Sequence, residues 1–314
     1  MTLFIVRRFV QTAVVLLIVT LLVFMIMRSM PGDPVVMFLG PDASQEQIDH
    51  YTAVFGLDQP LAVQYMKWLG NIATGEFGKS IVYRQDIGPF ILERLKVTLT
   101  IAIPAFLISV VAGVLLGVTA AVRRGRLLDS LITVMANLGM ATPIFWLSIL
   151  CVYIFSLKLG WLPVQGFTWP TENFSLAVQK MIMPVLLLSL GPLASYARQA
   201  RSAMLEVIRQ DYIRTGRSKG LGERTIIFKH ALRNALIPII TLMGLQLGHL
   251  IGGSVLIEQV FVIPGMGNML ITAILNKDYQ LVQTGVFVIA ASVSLCNLLV
   301  DIAYGYVDPR IRIS

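Results

Sequence analysis

Six runs of apolar residues alternate with polar stretches along this chain, at about 9–28, 97–121, 131–156, 181–200, 236–257 and 283–304. Each is long enough to cross a hydrocarbon core of ~30 Å, which takes about 20 helical residues. Backbone groups in lipid must pair within their own segment, so the pattern predicts six membrane-spanning helices and an all-α, polytopic fold. Barrel strands would be shorter and would alternate apolar with polar positions. The first run is longer than the apolar part of a secretory signal. It is followed by Arg28-Ser29-Met30-Pro31-Gly32-Asp33-Pro34 without a small-x-small cleavage pattern, so it is expected to be retained.

Two polar stretches are longer than a connection needs, about six residues. In residues 30–96, Gln45-Glu46-Gln47-Ile48 reads as helical, Gly56 to Leu61 as a break, and Val63 to Ile72 as an amphipathic helix. Gly75, Gly78 and Gly88-Pro89 mark turns. The stretch is too small for an enzyme domain, and it fits either a docking platform or a passive cap. We therefore divide the chain into 1–96, the first span with its extracytoplasmic loop, and 97–314, a core of five spans. The second long stretch, about 201–235, lies between spans four and five. It predicts a helix leaving the membrane, a short polar helix ending near Ser218, a break at Gly220 and Gly222, and a further helix opened by Glu223. Exposed Arg214, Arg217 and Lys219 offer positive charge to an acidic partner or to anionic lipid. Farther on, Pro264-Gly265-Met266-Gly267 predicts a turn before a short helix over Asn268–Leu275.

Composition agrees with the pattern. Mean hydropathy is +0.77. Charged residues are 13% against roughly 25% for an average soluble domain. With six spans and the N-terminus inside, sixteen of the 25 Lys and Arg residues fall on the cytoplasmic side, and Lys158, Lys180 and Lys277 fall in the two short outer loops. This bias predicts that both termini are cytoplasmic. The net charge of +8 then faces anionic lipid, and nothing calls for nucleic acid. Cys151 and Cys296 both sit in spans without paired-ligand spacing, so neither a structural disulfide nor a zinc site is expected.

Few polar residues interrupt the spans: Asn137, Gln246, His249, Asn297 and Asp301. Gln246 and His249 are candidates to line a passage, with packing as the alternative. Gly244, Gly248 and Gly252 recur every four residues and share one helix face, as do Gly113 and Gly117. Close packing inside this chain and contact with a second subunit both fit. Pro104, Pro143, Pro184 and Pro192 predict kinks. Catalytic motifs fail. Gly75 to Ser80 imitates the end of a phosphate-binding loop, but Ala73 stands where its first glycine belongs, and there is neither His-Glu-x-x-His nor Gly-x-Ser-x-Gly. A chain of this kind is not expected to be an enzyme.

The polar loop and its neighbours resemble one family. Asp211-Tyr212-x-Arg214-Thr215-Gly216-x3-Gly220, His230-x-Leu232-Arg233-Asn234-Ala235-x2-Pro238, Met30-Pro31-Gly32-Asp33-Pro34, Gly56 to Leu61, Gly160-Trp161-Leu162-Pro163, Gly252-Gly253-Ser254, Glu258, Phe261, Pro264-Gly265-x-Gly267 and Asp308-Pro309-Arg310 are similar to permease subunits of the dipeptide/oligopeptide/nickel group of ATP-binding-cassette importers. Among these the chain is most like the first permease, which has a long first periplasmic loop. The resemblance implies a type I importer bundle in the bacterial inner membrane. It implies pairing with a second homologous permease, two ATPase subunits inside and an extracytoplasmic solute-binding protein outside. ATP and Mg would belong to the ATPase subunits, with no cofactor in this chain. It implies coupling to the ATPase through Tyr212, Arg214, Thr215, Gly216, Arg217, Lys219, Gly220, Leu221 and Gly222. Gly216 departs from the family pattern, which has alanine there. Di- or oligopeptides are the expected cargo, with nickel chelates or glutathione as alternatives in the same family. An ATP-independent secondary transporter is a further alternative, although the charged relays and inverted repeats it would use are not visible.

Overall fold

A computed structural model describes residues 2–40 and 42–307, the side chains of residues 2–5, 37, 249, 299 and 301–307 excepted. The Asp308-Pro309-Arg310 tail and the side chains of His249 and Asp301 therefore lie outside what is described. The described chain is helical, with one isolated antiparallel bridge between Lys79 and Asp86. In order, the helices are α1 (Thr2–Ser29), α2 (Pro34–Leu39), α3 (Gln45–Val54), α4 (Leu61–Thr74), α5 (Ile87–Val122), α6 (Leu127–Ala141), α7 (Ile144–Cys151), α8 (Phe174–Val207), α9 (Asp211–Ser218), α10 (Glu223–Thr225), α11 (Leu232–Val260), α12 (Met266–Leu275) and α13 (Tyr279–Val307). Wider-wound π-helical segments extend α7 over Val152–Lys158 and join α10 to α11 over Ile226–Ala231.

Five helical segments are long and apolar enough to cross a membrane: Val6–Ser29, Ile87–Val122, Phe174–Val207, Glu223–Gly248 and Tyr279–Leu298. The third predicted span is not one helix. Its two halves, Leu127–Ala141 and Ile144–Lys158, are bent by 101°, and they bring the number of spans to six when counted as one. The cause is Pro143. It donates no backbone hydrogen bond, and it pushes Thr142 before it to φ −81°, ψ 126°, an extended conformation in which a helix cannot continue. Gly88-Pro89, expected as a turn, lies instead in the first turn of α5, where a missing N–H costs nothing.

The described residues form two compact units, 98–263 with 295–307 and 2–5, and Val6–Val97 with Pro264–Ser294. In the second, Met27, Ile87, Phe90, Met266, Leu270 and Tyr279 belong to one buried apolar cluster. Asp278, fully buried, caps α13 by accepting the Leu281 N–H and holds the 78–82 segment through the Ser80 hydroxyl (2.6 Å) and the Val82 N–H (3.1 Å). The residues that imitate a phosphate-binding loop are thus a turn with its own structural partner. In the first unit, α5 crosses α8 at a glycine face. A Cβ on Gly117 would stand 2.4 Å from the Ala197 carbonyl oxygen, and one on Gly113 2.7 Å from that of Leu193. Of the two readings open for that pair, packing inside this chain is the one observed.

Candidate functional site

The polar loop folds into a braced, exposed helix. α8 ends at Val207, and α9 begins after Gln210, whose backbone is extended (φ −68°, ψ 149°) and whose carbonyl accepts from the Ile213 N–H. Asp211 in the first turn and Arg217 in the last complement the helix dipole. The C-terminus is closed by a Schellman motif. Leu221 N–H donates to the Gly216 carbonyl (3.2 Å), Gly220 N–H donates to that of Arg217 (2.9 Å), and Gly220 itself holds φ +78°. The predicted break at Gly220 is therefore a specific, hydrogen-bonded stop. A Cβ at Gly216 would lie 3.5 Å from Leu221 Cδ1, the apolar contact that usually accompanies such a cap.

One side of α9 is anchored. Ile213 is 1% exposed and belongs to a buried cluster with Val114, Val118 and Ala121 of α5, Tyr196, Ala200 and Met204 of α8, and Ala235 and Ile239 of α11. The Asn234 amide donates to the Tyr212 hydroxyl (2.7 Å), tying α9 to the start of α11. Nearby, Arg201 grips Asp129 with two hydrogen bonds (2.6 and 2.9 Å), and Asp129 also accepts from the Gly125 N–H, so the turn between α5 and α6 is fastened to α8.

The opposite side is open. Asp211, Arg214, Thr215, Ser218, Lys219 and Leu221 are exposed. The three expected cations differ in availability. Arg217 is engaged by Glu223 (2.7 Å), whose carboxylate holds the guanidinium above its usual pKa. Arg214 stands 3.8 Å from Asp211 with both side chains largely in solvent, which makes that pair weak. The Lys219 side chain makes no ion pair or hydrogen bond among the described residues. Thr215 returns its hydroxyl to the Asp211 carbonyl. Gly222 opens the next helix at φ −62°, a conformation any residue can adopt.

The expected passage residues separate. A Cβ on Gly244 would meet Val300 Cγ1 at 3.1 Å, so Gly244 packs inside the chain. Gly248 is half-buried, and Gly252 faces open space. Gln246 lines a cavity of about 420 Å³ together with Thr142, Ser195, Leu250 and Gly253. Its amide has no hydrogen-bond partner among the described residues, whereas the Thr142 and Ser195 hydroxyls bond carbonyls of their own helices.

Three residues carry structural weight that the sequence reading does not assign: Asp129 and Asp278, which it does not name, and Glu258, which it names only within the family pattern. Asp129 and Asp278 each stand at the start of an apolar run, the usual place for a capping acid, and that was the available signal. Glu258, fully buried, accepts from the Thr98 hydroxyl (2.7 Å) and the Ser254 hydroxyl (3.1 Å). Ser254, one turn before it, was its local signal.

Residues 113–313 match the family described as binding-protein-dependent transport system inner membrane component, and residues 1–102 match the N-terminal part of such membrane components. A putative peptide transport system permease protein of Brucella abortus (strain 2308) is 41% identical over 312 residues, 99% of each chain. The di/tripeptide transport system permease protein DppB of Pseudomonas aeruginosa (strain UCBPP-PA14) is 42% identical over 316 residues, 94% of each chain. Among solved structures, a chain of the MetNI methionine ABC transporter superposes with a TM-score of 0.58 at 19% identity, covering 70% of this chain and 96% of that one, a likeness of fold.

Proposed function

The chain belongs to the family of inner membrane components of binding-protein-dependent transport systems and is a permease subunit of an ATP-binding-cassette importer, and from that premise we propose that its cargo is di- or oligopeptides and that α9 is where an ATPase subunit drives it. The peptide assignment is supported by the names of relatives that align over nearly the whole chain. The other parts of the machine follow from the same reading. A second permease completes the passage, a solute-binding protein delivers cargo from the outer side, and two ATPase subunits hold ATP and Mg. The excess of Lys and Arg in the inner loops supports a multi-pass protein with both termini in the cytoplasm.

A single observation supports the coupling role best: α9 is open on one side and inseparable from the bundle on the other. Ile213 is buried among residues of three spanning helices, so a displacement of α9 must displace α5, α8 and α11 or break a close-packed core. Its exposed side offers Arg214, Thr215, Lys219 and Leu221 to an acidic or apolar cleft. Nucleotide-driven movement of the ATPases would then be transmitted to the spans and would open the passage alternately to the two sides. Gln246 with the cavity it lines, and Gly252 farther along the same helix, are the part of that passage contributed by this chain.

The test replaces Gly220 by valine in the assembled complex in liposomes. At φ +78° a β-branched side chain costs about 1–2 kcal/mol of local stability. The expected result is complexes that still assemble but show reduced substrate-stimulated ATPase activity and uptake. Full coupling in the variant would count against α9 as the drive point.

A further inference from the structure

The polar lining continues past Gln246. On α8, Gly191, Ser195, Arg198 and Ser202 advance by three or four residues and share one face, and on α6 Thr133, Asn137 and Met140 do the same. The upper part of this stripe borders the 420 Å³ cavity. Its lower part borders a second cavity of about 410 Å³, walled by Thr133, Asn137, Arg198, Arg201 and Ser202 among others. The two arginines there are not equivalent. Arg201 is bound in the bidentate pair with Asp129. The Arg198 side chain is exposed and makes no ion pair or hydrogen bond among the described residues, and the same holds for the side chains of Thr133, Asn137 and Ser202.

About 13 Å of helix, at 1.5 Å per residue, separates Arg198 from the end of α8. Arg198 lies two residues before the inner end of the fourth apolar run, where an arginine without a partner is poorly accommodated against lipid tails, so the face that carries it belongs to water, a partner or cargo. A guanidinium flanked by an amide and two hydroxyls fits a carboxylate, which accepts two parallel bonds from the fork and further bonds from its neighbours. No acidic residue lines this cavity to compete. A lipid phosphate has similar chemistry but stays at the membrane boundary, whereas this stripe runs inward to the cavity at Gln246. We propose that Arg198, with Asn137 and Ser202 beside it, is a subsite that holds a carboxylate of the cargo on the inner part of its route. The proposal rests on the permease reading and adds to it a chemical requirement on the cargo.

The test uses the complete transporter, nucleotide-free in nanodiscs, carrying Ser202→Cys with Cys151 and Cys296 replaced by alanine. The thiol at position 202 is modified with an anionic or a cationic methanethiosulfonate reagent. The anionic reagent should react about tenfold faster, the scale of electrostatic focusing in a charged cleft. Arg198→Gln should bring the two rates together, and Arg198→Lys should keep most of the difference. An excess of a dipeptide with a free C-terminus should slow the modification, and its C-terminal amide should not. A thiol unreactive to both reagents, a rate ratio indifferent to Arg198→Gln, or equal protection by the two peptides would overturn the proposal. Absence of peptide uptake by the wild-type transporter, with the charge preference at position 202 intact, would instead remove the peptide reading and leave the anion subsite.

Discussion

Gly216 and Gly220 lie four residues apart and act differently. Gly220 is required by geometry, because its φ of +78° closes the cap that ends α9. Gly216 is helical, and a methyl group there would reach Leu221 at an ordinary contact distance. Gly216→Ala, which restores the residue usual in the family, is therefore expected to stiffen α9 by about 1 kcal/mol. Hydrogen exchange of the Arg214–Ser218 amides should slow about fivefold, provided these amides exchange by local opening of the helix. Unchanged or faster exchange would show that Leu221 does not pack as described. The glycine-rich break was legible in the sequence. The division of labour between its cations was not, because the Arg217–Glu223 pair closes only when the Schellman turn folds Glu223 back towards α9. Glu258 was quoted only as part of a pattern, since a carboxylate in an apolar run says nothing of the Thr98 hydroxyl that a different span supplies.

Among the elements, hydropathy locates the spans and misjudges their ends. α5 extends over 36 residues, of which the first turns, Ile87–Lys96, are too polar to register as membrane. The 101° bend between α6 and α7 falls at Pro143, where a kink is predicted, but its size was not legible, because residues on both sides are apolar and hydropathy has no direction. Pro143 breaks its span, whereas Pro104, Pro184 and Pro192 lie inside continuous helices. Whether a proline bends or breaks a helix depends on what its neighbours pack against, which the local sequence does not contain. The crossing of α5 and α8 is set by Gly113 and Gly117, and it tolerates no side chain. Gly117→Ala places a methyl group 2.4 Å from a backbone oxygen, so the helices must separate, at a cost of about 1–3 kcal/mol. A lower melting temperature and lower yield of the assembled complex are expected. Gly252→Ala, with nothing within 4 Å, should leave both unchanged. Equal effects of the two substitutions would contradict the assignment of the first to packing and the second to open space.

At the scale of the whole molecule, the account is one of force transmission from a surface helix into a membrane bundle. The six spans and the polar loop were legible because they are written locally, as long apolar runs and a polar stretch with a glycine stop, whereas the class of machine came from the resemblance that the Asp211–Gly220 and His230–Pro238 patterns carry. The cavity at Gln246 was less legible, because it is formed by residues from α6, α8 and α11 that no stretch of sequence brings together. The coupling claim is tested most directly by a photo-crosslinking amino acid placed at Arg214, on the open side of α9, in the intact complex in its native membrane. The account predicts a predominant adduct with a nucleotide-binding subunit, with a yield that changes when ATP is added. No adduct with that subunit, or an adduct with the extracytoplasmic binding protein, would contradict it.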